Sequence, residues 1–180
     1  MKQYSALSSV IIACLTIGVT GCGKSNVAPT ATPSAPISTA GGPGVATANE
    51  TVLTAWDKGD KSTAVRNVLE ADWTIRPLFT SGTTLALSEK QFSELPASAR
   101  SSNQAPVSAA MTALKGVAVA VRDAGRDAAA KGDVALARKH FMALQHWGEA
   151  LGGPDSMAII GIVGRAIKKI GDTELASLPQ

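Results

Sequence analysis

Seven side chains between Val107 and Ala128 constrain the fold of this chain more than any others. Val107, Met111, Leu114, Ala118, Val121, Gly125 and Ala128 are spaced four, three, four, three, four and three residues apart. That spacing lines one side of an α-helix; it cannot line one face of a strand, where side chains alternate every second residue. The later positions are small, so a second helix approaches closely there. A long helix from about Pro106 to Lys131 is predicted, with a stripe that must be buried against a neighbour.

The neighbour follows at once. Gly132 ends the long helix and Asp133 caps the next, where Val134, Ala137, Phe141, Leu144, Gly148 and Leu151 keep the period. Gly152-Gly153-Pro154 stops that helix, and Asp155 starts a closing segment from Ser156 to about Leu178. Upstream, a helix from about Glu50 to Lys58 ends at Gly59, and Asp60 caps a second that carries Ala64, Val65, Val68 and Leu69 inward. Aspartate at this position accepts hydrogen bonds from the unpaired N–H groups of the first turn. Arg76-Pro77 and Ser81-Gly82 break the helical period between Trp73 and Leu87, which predicts a loop whose Leu78, Phe79, Leu85 and Leu87 pack on the helices. Ser88 with Gln91 forms a capping box for a short helix that ends before Pro96. Ala97 to Gln104 reads as a polar connector. Aromatic residues make up 4% of the chain and strand signals are nearly absent. The expected fold is all-α, a small helical bundle or short stack of αα-hairpins with about six helices over residues 49–180.

The segments around the two Gly-Asp turns resemble each other. Lys58-Gly59-Asp60 and Lys131-Gly132-Asp133 are each followed, after three intervening residues, by an alanine, Ala64 and Ala137. Glycine closes one helix, aspartate caps the next, and the small alanine lets the second lie against the first. This looks like the helical hairpin of tetratricopeptide-type repeats, a resemblance that implies a binding role. The copies lie 73 residues apart, not at the 34-residue tandem period, and the Trp/Leu/Gly/Tyr pattern of that repeat's first helix is missing. Convergence of two hairpins on favourable turn chemistry is the alternative.

The N-terminus has a different character. Lys2 supplies a positive start, Ala6 to Val19 an apolar run, and Gly21 a small residue before Cys22. The order is that of a secretory signal with a small-residue cleavage site, and Val19-Thr20-Gly21-Cys22 resembles the lipobox of bacterial lipoprotein precursors. The resemblance implies that the Cys22 thiol receives a diacylglycerol, that residues 1–21 are removed and that Cys22 becomes the first residue. Three other readings compete. The run is shorter than the roughly 20 residues a spanning helix needs; cleavage elsewhere leaves Cys22 without a role; and Ile11-Ile12-Ala13-Cys14 fits a lipobox with a barely sufficient apolar core. Of the two cysteines, Cys14 lies in the segment to be removed, so Cys22 has no disulfide partner. Gly23, rather than Asp, follows Cys22, which under the enterobacterial sorting rule resembles an outer-membrane address. Residues 22–48, rich in Pro, Ala, Ser, Thr and Gly, are expected to form a disordered, semi-stiff tether of up to about 75 Å.

Familiar chemistry is hard to find. His140 and His146 are six residues apart, about 120° around a helix, which does not let them share a metal as i, i+4 histidines do. There is no HExxH, CxxC, P-loop or Gly-x-Ser-x-Gly. Asp123 and Asp127 could pair as carboxylates, but Arg122 and Arg126 beside them point to a solvated, charged face. Trp56, Trp73 and Trp147 could line a groove, though in so aromatic-poor a chain they read as core anchors. Lysine and arginine exceed aspartate and glutamate by three, with the signs interspersed, which excludes a nucleic-acid footprint. Residues 157–171 combine an apolar stretch with Arg165, Lys168 and Lys169 on a narrow strip. They read either as a closing helix over the core or as a cationic helix lying on an anionic membrane.

The expectation is therefore a lipid-anchored envelope protein, held to the membrane at Cys22 with Val19, Thr20 and Gly21 as its cleavage motif. Its helical domain, with Gly59, Asp60, Gly132 and Asp133 as helix-turn residues, is expected to bind an envelope protein. No catalysis, cofactor, metal or nucleic acid is expected. The alternatives are a membrane-surface protein using the 157–171 helix, or an enzyme with an unrecognised site.

Overall fold

A computed structural model describes residues 46–154 and 156–179. The expected signal peptide, the Val19-Thr20-Gly21-Cys22 motif and all but the end of the expected tether lie outside the described residues. The described residues form six helices: α1 (Ala48–Asp57), α2 (Lys61–Glu70), α3 (Glu89–Glu94), α4 (Ala97–Ala130), α5 (Val134–Leu151) and α6 (Ala158–Ser177). A single 3₁₀ turn at Thr84–Ala86 interrupts the long loop after α2, and the described residues contain no strand. The fold is all-α, as the seam requires.

Every member of that seam is buried on α4. On α5 the predicted stripe is buried from Ala137 to Leu151, and Val134 is half-buried at the end of the helix. α5 runs back along α4, α6 runs back along α5, and the α1–α2 hairpin packs across α4 and α5. Small residues decide how closely these helices approach. A Cβ on Gly164 would lie 2.6 Å from the Gly152 nitrogen, and one on Gly171 would lie 2.8 Å from the Phe141 carbonyl oxygen. A Cβ on Gly148 would collide with the backbone of Lys168. Backbone therefore meets backbone along the α5–α6 contact.

The two Gly-Asp turns are superimposable in their dihedrals and bonds. Gly59 and Gly132 have φ of 77° and 82°, a left-handed conformation that glycine adopts without steric cost. Asp60 N–H donates to the Ala55 carbonyl at 3.0 Å, and Asp133 N–H to the Ala128 carbonyl at 2.9 Å. Each aspartate also accepts from an amide three residues on, Thr63 at 3.0 Å and Leu136 at 2.9 Å. One residue thus closes one helix and caps the next. Ala64 and Ala137 are fully buried behind the turns.

Two expectations need correction. α1 begins at Ala48, not about Glu50, because Thr47 and Glu50 form a reciprocal capping box that extends the helix upstream. Ala97–Gln104 is not a connector: α4 starts directly after Pro96 and carries Pro106 within it. Pro106 is on the exposed side, as is Ser102, whose carbonyl loses a partner but faces water. The first turns are also held from outside, since Thr84 Oγ1 donates to Asn103 Oδ1 at 2.7 Å and Asn103 Nδ2 donates to the Ala99 carbonyl at 2.8 Å. The short helix α3 has the Ser88–Gln91 box that its sequence predicts. The loop before it buries Trp73 and Phe79 and rests Leu78, Leu85 and Leu87 on the core.

Candidate interaction surfaces

The core that positions the surface is joined by polar groups from distant segments. Trp73 and Trp147 pack with ring centroids 5.7 Å apart and planes 31° apart. Both indole N–H groups are used, Trp73 toward the Val68 carbonyl at 3.1 Å and Trp147 toward Asn49 Oδ1 at 2.8 Å. Trp56 differs from these two. It is half-buried on α1, lies against Gly116 and carries the Lys61 ammonium 5.6 Å from its ring centroid. The core-anchor reading therefore holds for Trp73 and Trp147, and Trp56 forms the edge of the α1–α4 contact.

The histidines go to different places. His140 is buried, with Nδ1 2.9 Å from the Leu136 carbonyl, so Nδ1 is the donor. His146 is exposed on α5, on the side that faces α2 and Trp73. Among the described residues no group of three or more His, Cys, Asp or Glu is placed to hold a metal ion. Arg122 pairs with Asp123 at 2.7 Å, while Asp127 is exposed. Arg126 leaves that face altogether. Its guanidinium makes a two-pronged contact with Glu174 on α6, 3.0 Å from Nε to Oε2 and 2.5 Å from Nη2 to Oε1. Hydrogen bonding to Glu174, reinforced by its charge, raises the Arg126 pKa further. No spacing rule pointed to this pair, whose members are 48 residues apart.

Two depressions lie between helices. The first is a crevice between α2 and α5, with Leu69, Trp73 and Met142 as its apolar floor and Arg138, Lys139 and His146 along one side. It continues past His146 to Asp72, Arg76 and Glu149. Charge of both signs lines it. The second is a groove of about 570 Å³ between α4 and α6, closed at one end by α3. Phe92, Val107, Met111, Ile159 and Ile162 make it apolar, and Lys115 and Glu89 stand at its margins. Glu89 Oε2 accepts the Ala158 N–H at 2.8 Å and so caps α6, which has no side-chain cap of its own.

The 157–171 segment is the closing helix over the core: Ile160, Val163 and Ile167 are buried, as are Gly161 and Gly164. Its opposite side leaves Ile159 and Ile162 46% and 57% exposed. Gly59, Asp60, Gly132 and Asp133 shape their two turns, and no Cβ added at either glycine would meet anything within 4 Å. Their role is conformational. No protein-family model matches the chain, nor does any curated protein or solved structure.

Proposed function

We propose that this protein is a lipid-anchored component of a bacterial cell envelope whose helical domain binds a protein partner and performs no chemistry of its own. One observation carries the reading: a positively started apolar run closes on Val19-Thr20-Gly21-Cys22, the only arrangement in the chain that gives Cys22 a role. Several acyl chains on one residue supply stable anchoring where a single chain is marginal. The Pro-rich stretch after Cys22 then serves as the spacer between membrane and domain. Gly23 favours the outer membrane in a Gram-negative cell.

The binding part of the reading is supported by the α2–α5 crevice, which combines exposed Met142 with cationic and anionic side chains. It is also supported by the matching turns of the α1–α2 and α4–α5 hairpins, the feature shared with tetratricopeptide-type modules.

Labelling with palmitate tests the anchor. The wild-type chain is expected to incorporate the label and fractionate with membranes, and the Cys22→Ser variant to incorporate none. Normal incorporation by that variant would defeat the reading. Proximity labelling in the envelope, compared between wild type and a Met142→Glu, Lys139→Glu variant, tests the partner. The expected outcome is a discrete protein lost in the variant; recovery of bulk lipoproteins alone by both would remove the binding role.

A further inference from the structure

We propose that the face shared by α4 and α6 docks on the anionic phospholipid surface to which the chain is anchored. This rests on the lipid-anchor reading above. Ile159 and Ile162 would insert among the headgroups, with Lys115, Arg165 and Lys169 against lipid phosphates.

The argument begins with what α6 has left over. Its core-facing stripe is spent on Ile160, Val163 and Ile167. A second stripe, Ile159, Ile162, Arg165 and Lys169, repeats at three- and four-residue intervals on the exposed side. α4 lies alongside and runs in the same direction: Val107 and Met111 share the groove with Ile159, and Arg126 meets Glu174 further along. Lys115 borders Ile162 in that groove, and Val119, 41% exposed, follows one turn later. Three of the six large exposed apolar side chains of the described residues therefore lie on two adjacent helices. Clustered exposure of this kind marks an interaction surface.

Charge identifies the partner. The chain as a whole is close to neutral, with an excess of three positive side chains. From Ser101 to Val121 the only ionisable side chain is Lys115, and from Ser156 to Gly171 the only ones are Arg165, Lys168 and Lys169. Lys168 is tied to Asp172 at 3.0 Å, while Lys115, Arg165 and Lys169 form no ion pair among the described residues. The one carboxylate among the residues that line the groove, Glu89, is occupied in capping α6. An apolar strip with three unpaired cations about it, against one carboxylate that is engaged in capping α6, matches a surface of phosphates over hydrocarbon. Two isoleucines and three cations would hold a free protein weakly. A domain tethered through residues 22–48 stays confined near the surface, which raises its effective concentration there, so weak contacts suffice.

The mature chain makes a direct test possible. With Cys14 removed and Cys22 acylated, Ile162→Cys supplies the one free thiol. The acylated protein, labelled there with a fluorophore, is reconstituted into vesicles of phosphatidylcholine and phosphatidylglycerol carrying headgroup-region nitroxide lipids. Met142→Cys on α5, exposed in the α2–α5 crevice, is the reference. The Ile162→Cys label should be quenched several-fold more than the Met142→Cys label. The difference should vanish in phosphatidylcholine alone, and also at 1 M salt, where the screening length falls to about 3 Å. Each of Lys115→Glu, Arg165→Glu and Lys169→Glu should lower the docked fraction about fivefold or more. Equal quenching at both positions with Cys22 acylated would overturn the docking and leave the anchor standing. So would protection of the Ile162→Cys label from an aqueous quencher in detergent, which would assign the face to a second copy or a protein. An unmodified Cys22 by mass spectrometry would overturn the anchor, and this inference with it.

Discussion

The indole Nε1 of Trp147 donates to Oδ1 of Asn49 at 2.8 Å, joining α5 to the first turn of α1 across 98 residues of chain. Both side chains are fully buried. Asn49 Nδ2 donates in turn to the Leu78 carbonyl at 3.0 Å, so one amide holds two helices and the loop after α2 together.

Replacing that amide exposes its value. Asn49→Ala leaves the Trp147 N–H and the Leu78 carbonyl without this partner in a dry site, and the expected cost is about 3 kcal/mol. Urea denaturation should show a lower midpoint with an unchanged slope. A loss below about 0.5 kcal/mol would mean that water replaces the amide.

Two glycines on facing helices should respond with opposite signs. Gly148→Ala drives a methyl group into the α6 backbone at Lys168 and should destabilise by about 1–3 kcal/mol. Gly161→Ala meets only the end of Arg165 at 3.5 Å. It should stabilise, by up to about 1 kcal/mol, through helix propensity. Thermal unfolding of the two variants settles the order, and equal effects would refute the close α5–α6 approach.

Acid should act partly through Glu50. Burial opposes its ionisation, but hydrogen bonds from Thr80 and Thr47 outweigh that cost and hold its pKa below the ordinary carboxyl range. A depressed folded pKa contributes stability that is present above the unfolded pKa, about 4 for a carboxyl group, and is lost as pH falls below it. Thr80→Val removes the hydroxyl donor and should shift the Glu50 titration upward and flatten this part of the acid dependence. NMR titration of the Glu50 carboxyl carbon, beside unfolding at several pH values, measures both. An unmoved titration would exclude Thr80 as the cause.

The Arg126–Glu174 pair should be asymmetric. The Arg126 side chain is 58% exposed and that of Glu174 only 10%. Arg126→Ala strands a shielded carboxylate, whereas Glu174→Gln leaves a solvated guanidinium, so the arginine variant should unfold at the lower denaturant concentration. Added salt should narrow the gap only slightly, because screening reaches shielded pairs poorly. The reverse order would show that Glu174 is stabilised by something other than Arg126.

The long helices were legible because burial on one side of a helix imposes a period, and Val107 to Ala128 display it with no exception. The turns were legible because left-handed backbone asks for glycine and unpaired amides ask for aspartate, both local requirements. Ala97–Gln104 was not. Its serines, asparagine and glutamine read as a connector, yet Thr84 and Asn103 hold it from a segment nineteen residues away. The first turn of α1 was less legible: Thr47 ends a Pro- and Gly-rich stretch and reads as part of it, yet its reciprocal box with Glu50 carries the helix upstream to Ala48.

Of the candidate surfaces, the sequence contained the composition of the 157–171 helix but not the division of its isoleucines. Ile159 and Ile162 are chemically the same as Ile160 and Ile167. Only the placement of α4 and α5 sends the first two to solvent and the others to the core.

The sequence by itself determined that the domain is helical, where its two hairpins turn and which stripes are buried, since each of these follows from the geometry of a few neighbouring residues. The tertiary structure alone decided the Asn49–Trp147 and Arg126–Glu174 contacts and the backbone meeting of α5 with α6. It also decided the cationic, apolar face of α4 and α6. These depend on which distant segments share space, and no local period encodes that.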